Sequence, residues 1–185
     1  MHENNPVEKL FWGRLALAEA MSEFYFTKDT LIQTLIHEFK YKGNKDLGLY
    51  LGTIMGKSLL HNNRFSKIDV LIPLPLFADK EFKRGFNQST ILCNGIAEIM
   101  NIPIIKNNVI RKRFTETQTK KHRTERWKNV EGSFEISDTR NIKGKHVLLV
   151  DDVITTGATL EACGAEILKI EGTILSIATL AFASK

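Results

Sequence analysis

Apolar positions along this chain alternate between short unbroken runs and stripes spaced by three and four. Val147-Leu148-Leu149-Val150 is a run of four, the mark of a strand buried on both faces inside a parallel sheet. It ends in Asp151-Asp152, followed by a hydroxyl-rich turn and an amphipathic helix whose Leu160, Cys163, Ile167 and Ile170 share one face. Ile68-Asp69-Val70-Leu71-Ile72 is a second short buried strand, stopped by Pro73 and Pro75 because proline cannot continue a ladder. Leu31, Ile32, Leu35, Ile36 and Phe39 form a helical stripe, with Asp29 or Thr30 as N-cap and Gly43 just past its end. A helix over 45–60 carries Leu47, Leu51, Ile54, Met55 and Leu59 inward. Asn87 caps another, with Ile91, Leu92, Ile96, Ile99 and Met100. Residues 15–26 supply one or two strands, 102–109 a strand opened by Pro103, and 173–183 a final strand apolar on both faces. Buried strands alternating with amphipathic helices make this an α/β chain.

The turn after Val150 brings two chemistries together. A helix N-terminus leaves backbone N–H groups unpaired at the positive end of the dipole, which suits a phosphate. Thr155, Thr156 and Thr159 add hydroxyls, and Gly157 and Ala158 let an anion approach closely. Asp151 and Asp152 suit sugar hydroxyls instead, because carboxylates only accept hydrogen bonds. Together they fit a sugar phosphate. A receiver domain, whose first strand can also end in Asp-Asp, does not fit: only 33 residues follow Asp152, too few for four more βα units.

Four apolar residues, two acids, a variable pair and Thr-Gly-x-Thr resemble the 5-phosphoribosyl-1-diphosphate (PRPP) motif of type I phosphoribosyltransferases. The resemblance implies a central, mainly parallel sheet flanked by helices with a small hood. In that family the acids hold the ribose 2- and 3-hydroxyls and the turn holds the 5-phosphate. The loop after the first core strand, here Leu74-Pro75-Leu76, meets the pyrophosphate through its amides. By analogy, residues 1–62 would be a hood or flanking segment and 63–185 the PRPP-binding core of a single domain.

Composition narrows the setting. A chain of 185 residues that is 43% hydrophobic has the size and apolar content of one domain. Its two cysteines, Cys93 and Cys163, lie on apolar stripes and make neither a disulfide framework nor a zinc signature. Residues 1–8 are polar, without a signal-peptide pattern, and no apolar run approaches the roughly 20 residues needed to cross a bilayer; a cytoplasmic protein is expected, without membrane insertion.

The net charge of +5 is uneven: residues 106–128 hold nine Lys or Arg and two Glu. Such a block is either a solvated face or a site for a polyphosphate or a nucleic-acid backbone. In it His122 reads as an exposed base rather than a catalyst, and Trp127 as a packing residue.

Arg84-Gly85-Phe86-Asn87-Gln88, after a strand ending Pro-x-Pro, resembles the ComF family, phosphoribosyltransferase-like proteins associated in many bacteria with DNA uptake during competence. Phe-Trp-Gly-Arg at 11–14 and Lys-Tyr-x-Gly at 40–43 agree, and the resemblance covers nearly the whole chain. Many ComF proteins begin with a cysteine-rich zinc-binding module that this sequence lacks, which points to a natural loss or a late start. Thr115-x-x-Gln118 followed by Arg123 is similar to the mobile loop of glutamine amidophosphoribosyltransferases. The resemblance implies that Gln118, Lys120 and Arg123 close on the pyrophosphate, that Arg84 faces it too, and that Mg²⁺ accompanies PRPP, with Asp151 and Asp152 reaching the metal through water. Two functions stay open: transfer of ribose 5-phosphate to an unidentified nitrogen acceptor in nucleotide metabolism, and single-stranded DNA binding through the basic stretch around a retained PRPP site. A homodimer is what the family implies.

Overall fold

A computed structural model describes residues 5–27, 30–112 and 132–183. Four parallel strands form the central sheet in the order β1 (Glu19–Tyr25), β6 (Ile174–Phe182), β5 (His146–Ile154), β2 (Val70–Pro73). Outside β2 a single parallel bridge joins Leu71 to Ile104. The helices are α1 (Pro6–Lys9), α2 (Leu31–Tyr41), α3 (Lys45–His61), α4 (Ala78–Arg84), α5 (Gln88–Met100) and α6 (Ala158–Leu168). β3 (Val109–Arg111) and β4 (Phe134–Ile136) pair antiparallel, apart from the central sheet.

The strand period of two sends neighbouring residues into two cores. Val147, Leu149, Val70 and Ile72 pack with Leu160, Cys163 and Ile167 of α6 and with Val109 and Phe134 of the β3–β4 pair. Leu148, Val150 and Leu71 pack with Ile36 and Phe39 of α2, Leu51 and Met55 of α3, and Leu92 and Ile96 of α5. Covering both faces is why the strands read as unbroken apolar runs. The described residues 5–27 and 30–62 supply the edge strand β1 and two of the helices on the second face.

Several elements differ from the sequence reading. β5 does not end at the acid pair but runs through it to Ile154, because β6 is equally long and pairs with it as far as Ile154↔Phe182. Residues 102–109 are not one strand. They join the sheet in one bridge, Ile104 opposite Leu71, closed by hydrogen bonds of Pro103 O and Ile105 N with the Leu71 backbone, and Val109 begins the separate β3. The last strand buries Ser176 and Thr179 among its apolar residues. Thr30 occupies the N-cap of α2, but its hydroxyl bonds Thr27 O rather than the helix. The short helix α4 has no buried residue, so no apolar stripe announced it. Among the described residues no helix is long and apolar enough to cross a membrane.

Candidate functional site

Strand order places the site. From β2 the chain passes through α5 on one face and returns outside β2, at Ile104. From β5 it passes through α6 on the other face and returns to β6 on the opposite side. The two connections diverge, so the carboxyl ends of β2 and β5 border a crevice, where open parallel sheets bind ligands. The loop 74–77 follows β2 and the turn 155–157 follows β5 at this end of the sheet.

The acid pair lies on β5 at this edge. Asp151 is half-buried and Asp152 buried. Their partners come from different elements. Ser89, second residue of α5, donates its hydroxyl to Asp151 Oδ1 at 3.1 Å, and the Asp152 amide donates to the same oxygen at 2.8 Å. Lys40, in the last turn of α2, meets Asp152 Oδ2 at 2.9 Å. Burial, and then the neighbouring Asp152 charge, push the Asp151 carboxyl up to about 7, against hydrogen bonds and Lys40 that pull it down.

The turn follows. Thr155 and Thr156 are exposed, Gly157 is buried, and Ala158 and Thr159 are half-buried. Gly157 takes φ 75°, and a Cβ there would sit 3.0 Å from the Phe11 ring, so both backbone and space call for glycine. As N-cap of α6 it provides no side-chain cap; the amide of Ala158 reaches Thr156 Oγ1 only at 3.5 Å. The first-turn donors of α6 thus remain open to an anion. Arg14 braces the turn from outside, donating to Thr156 O at 3.3 Å and pairing with Glu161.

Across the crevice, the Leu74 amide is bonded to Val150 O at 2.9 Å. Pro75 has no N–H, so of Leu74, Pro75 and Leu76 only Leu76 offers a backbone donor to a ligand. Asn87 fixes the loop: its Nδ2 donates to Leu74 O at 3.0 Å while its Oδ1 caps Ser89 N. Arg84 stands ahead of α5, in the last turn of α4, which Gly85 closes at φ 76°. From there it donates to Gln88 Oε1 at 2.7 Å and lies 5.6 Å from the Tyr41 ring centroid. Arg84 thus reaches the acid pair through neighbours: Tyr41 follows Lys40, and Gln88 precedes Ser89. Gln118, Lys120 and Arg123, with His122 and Trp127, lie outside the described residues.

Lys40, Ser89, Phe11 and Arg14 were not recognised as site residues from sequence. Lys40, Phe11 and Arg14 lay inside singled-out runs and Ser89 directly follows one, but their proximity to the crevice is tertiary. Cys93 and Cys163 are buried thiols whose pKa values burial pushes up, as expected of core cysteines. Mg²⁺ can be tested against the donors present. Among the described residues no three His, Cys, Asp or Glu side chains form a metal cage. One or two carboxylates suit Mg²⁺ only when substrate phosphates complete its shell, so the pair fits an ion that arrives with its ligand. A cleft of about 550 Å³ between β4 and the end of α6 is lined by Lys112, Glu135, Lys143 and Lys169 and lies apart from the acid pair.

The model of the phosphoribosyl transferase domain family matches residues 88–185. The DNA utilization protein YhgH of Shigella flexneri is 30% identical over 132 residues, 70% of this chain and 57% of that protein. Competence protein F of Haemophilus influenzae is 29% identical over 133 residues, 70% and 58% of the two chains. Competence protein ComFC of Bacillus subtilis is 32% identical over 142 residues, 73% and 52%. The chain therefore spans little more than half the length of these relatives. Among solved structures, the glutamine PRPP amidotransferase of B. subtilis complexed with ADP and GMP superposes with a TM-score of 0.51 at 20% identity, covering 77% of this chain and 30% of that one. That likeness concerns the fold alone.

Proposed function

The chain belongs to the phosphoribosyl transferase domain family, and from that premise we propose that it binds PRPP across the ends of β2 and β5 and transfers ribose 5-phosphate to a nitrogen acceptor, releasing pyrophosphate. The observation that carries this reading is the switch-point crevice, with the acid pair of β5 between an open helix N-terminus and the proline loop.

The division of labour follows from the donors. The first-turn amides of α6 and the hydroxyls of Thr155, Thr156 and Thr159 take the 5-phosphate. Asp151 and Asp152 take the ribose hydroxyls, held in place by Ser89 and Lys40. The C1–O bond to pyrophosphate breaks as C1 bonds the acceptor nitrogen, through an oxocarbenium-like state that needs positioning and charge more than a covalent nucleophile. With a pKa of about 7, Asp151 can both accept from and donate to a ribose hydroxyl at neutral pH. Arg84 and the loop residues Gln118, Lys120 and Arg123 serve the leaving group. Mg²⁺, brought on the diphosphate, would neutralise the charge that builds there. The test is pyrophosphate release from PRPP with a panel of nitrogen bases: release that depends on Asp151 and on one acceptor supports transfer, and its absence across the panel removes the catalytic claim.

A second reading has its own observations. The similar proteins carry the names DNA utilization protein and competence protein, and residues 106–128 hold nine basic side chains. In that reading the PRPP site is kept without turnover and the basic stretch binds single-stranded DNA, steeply dependent on salt. A mobility shift of single-stranded DNA that is lost on reversing Lys120, Lys121 and Arg123 supports it; a shift insensitive to those changes removes it.

A further inference from the structure

Two donors near the loop 74–77 lack an acceptor among the described residues. Gln88 is 1% exposed, and its Nε2 is buried without a partner. Its orientation is fixed by chemistry: Arg84 donates to Oε1, a guanidinium cannot accept, and so the amide NH₂ points elsewhere. The second donor is Arg111. Its Nε is buried and unpaired, and its guanidinium lies 3.9 Å from the Phe77 ring centroid and 5.3 Å from that of Phe134. Burial lowers its pKa, and the charge of Asp151 opposes that shift.

A buried donor without an acceptor is costly, and more so when charged. The remaining atom of this kind, Glu19 Oε2, is an acceptor at the start of β1 and is answered by its ion pair with Arg64. Gln88 and Arg111 have no such answer, and they bracket a single feature. Phe77, under Arg111, is the last residue of the loop 74–77. Asn87, immediately before Gln88, holds the carbonyl of Leu74, its first residue. Ser89, which follows Gln88, bonds Asp151, and the charge of Asp151 acts on Arg111.

We infer that Arg111 and Gln88 are ligand residues that grip a diphosphate group from the two ends of the loop 74–77. Arg111 supplies a planar, stacked cation and Gln88 a neutral donor pre-aimed by Arg84. The inference rests on the PRPP reading only for what is attached to the diphosphate.

The test is calorimetric titration of the full chain with inorganic pyrophosphate, ribose 5-phosphate and PRPP, comparing wild type, Arg111→Met and Gln88→Leu. A charge-assisted hydrogen bond corresponds to about tenfold or more in affinity. Arg111→Met should weaken pyrophosphate and PRPP by at least about tenfold, and Gln88→Leu by about threefold or more. Ribose 5-phosphate should bind both variants as it binds wild type. Should Arg111→Met not fold, Arg111→Lys serves in its place, with a loss of about threefold or more expected. Wild type that does not bind pyrophosphate, or variants that bind it as tightly as wild type, overturn the inference. Pyrophosphate binding that depends on both residues, in a protein that ignores PRPP, upholds the inference and removes the PRPP reading. PRPP binding indifferent to both substitutions does the reverse.

Discussion

Lys40 Nζ lies 2.9 Å from Asp152 Oδ2, joining the last turn of α2 to the carboxyl half of β5 with both side chains largely shielded from water. The pair spans 112 residues of sequence and closes one side of the crevice. Removing one partner from such a pair leaves a buried charge uncompensated, at about 3 kcal/mol or more. Lys40→Met should therefore destabilise the protein by roughly that amount, and adding Asp152→Asn should restore part of it. Urea denaturation of both singles and the double checks this; additive losses would mean that the pair is not coupled.

Asp151 has a folded pKa raised from 3.8 to about 7. The folded state then holds its proton where the unfolded state has lost it. Its contribution to stability is full below about pH 4 and declines as the pH rises towards 7. Asp151→Asn should be more stable than wild type at pH 8, on the order of a few kcal/mol, while losing ligand. Thermal melts at pH 5 and 8 read the difference, and an equal or lower melting temperature for the variant at pH 8 contradicts it.

His146 works in the opposite sense. Burial lowers its pKa from 6.5, despite Asp69 and a backbone hydrogen bond, and its Nε2 lies 2.8 Å from Ser176 Oγ at the amino edge of the sheet. The unfolded state protonates first as the pH falls, so this stability is full above about 6.5 and is lost below it. Between pH 5 and 6.5 the two residues oppose each other. Asp151→Asn should show stability rising with pH in that window, and His146→Gln should show it falling. The same slope in both variants would reject this assignment.

α3 and α5 cross where Gly52 faces Leu92 and Gly95 faces Leu49 and Thr53. A Cβ on Gly95 would collide with the backbone oxygen of Leu49, which no rotamer change can relieve. Alanine favours a helix by about 1 kcal/mol over glycine, yet prying the two helices apart costs more. Gly95→Ala should lose roughly 2 kcal/mol in a denaturant titration, whereas a stabilised variant would show that the crossing yields easily.

These examples mark what sequence could reveal. The α/β class, both inner strands, the stripes of α2, α3 and α5, and the acid pair with its Gly157 turn are local patterns, legible because burial on one face or both writes a period into the chain. Contacts between distant segments were not legible. Nothing near Lys40 announces Asp152, and Lys40 reads as an ordinary basic residue closing a helix. Gly48, Gly52 and Gly56 look like weak helix positions until α2 and α5 are seen pressed against them. The end of β5 was misplaced because the carboxylates looked like a stop signal, whereas pairing with β6 carries the strand past them.

Whether residues 147–159 hold PRPP is tested most directly by a thermal-stability titration with PRPP and Mg²⁺. Ligand at about 100 times its dissociation constant should add roughly 2.7 kcal/mol to wild type, and Asp151→Asn/Asp152→Asn should lose most of that gain. A wild type whose melting temperature does not move, or a double variant stabilised as much as wild type, would contradict PRPP binding there.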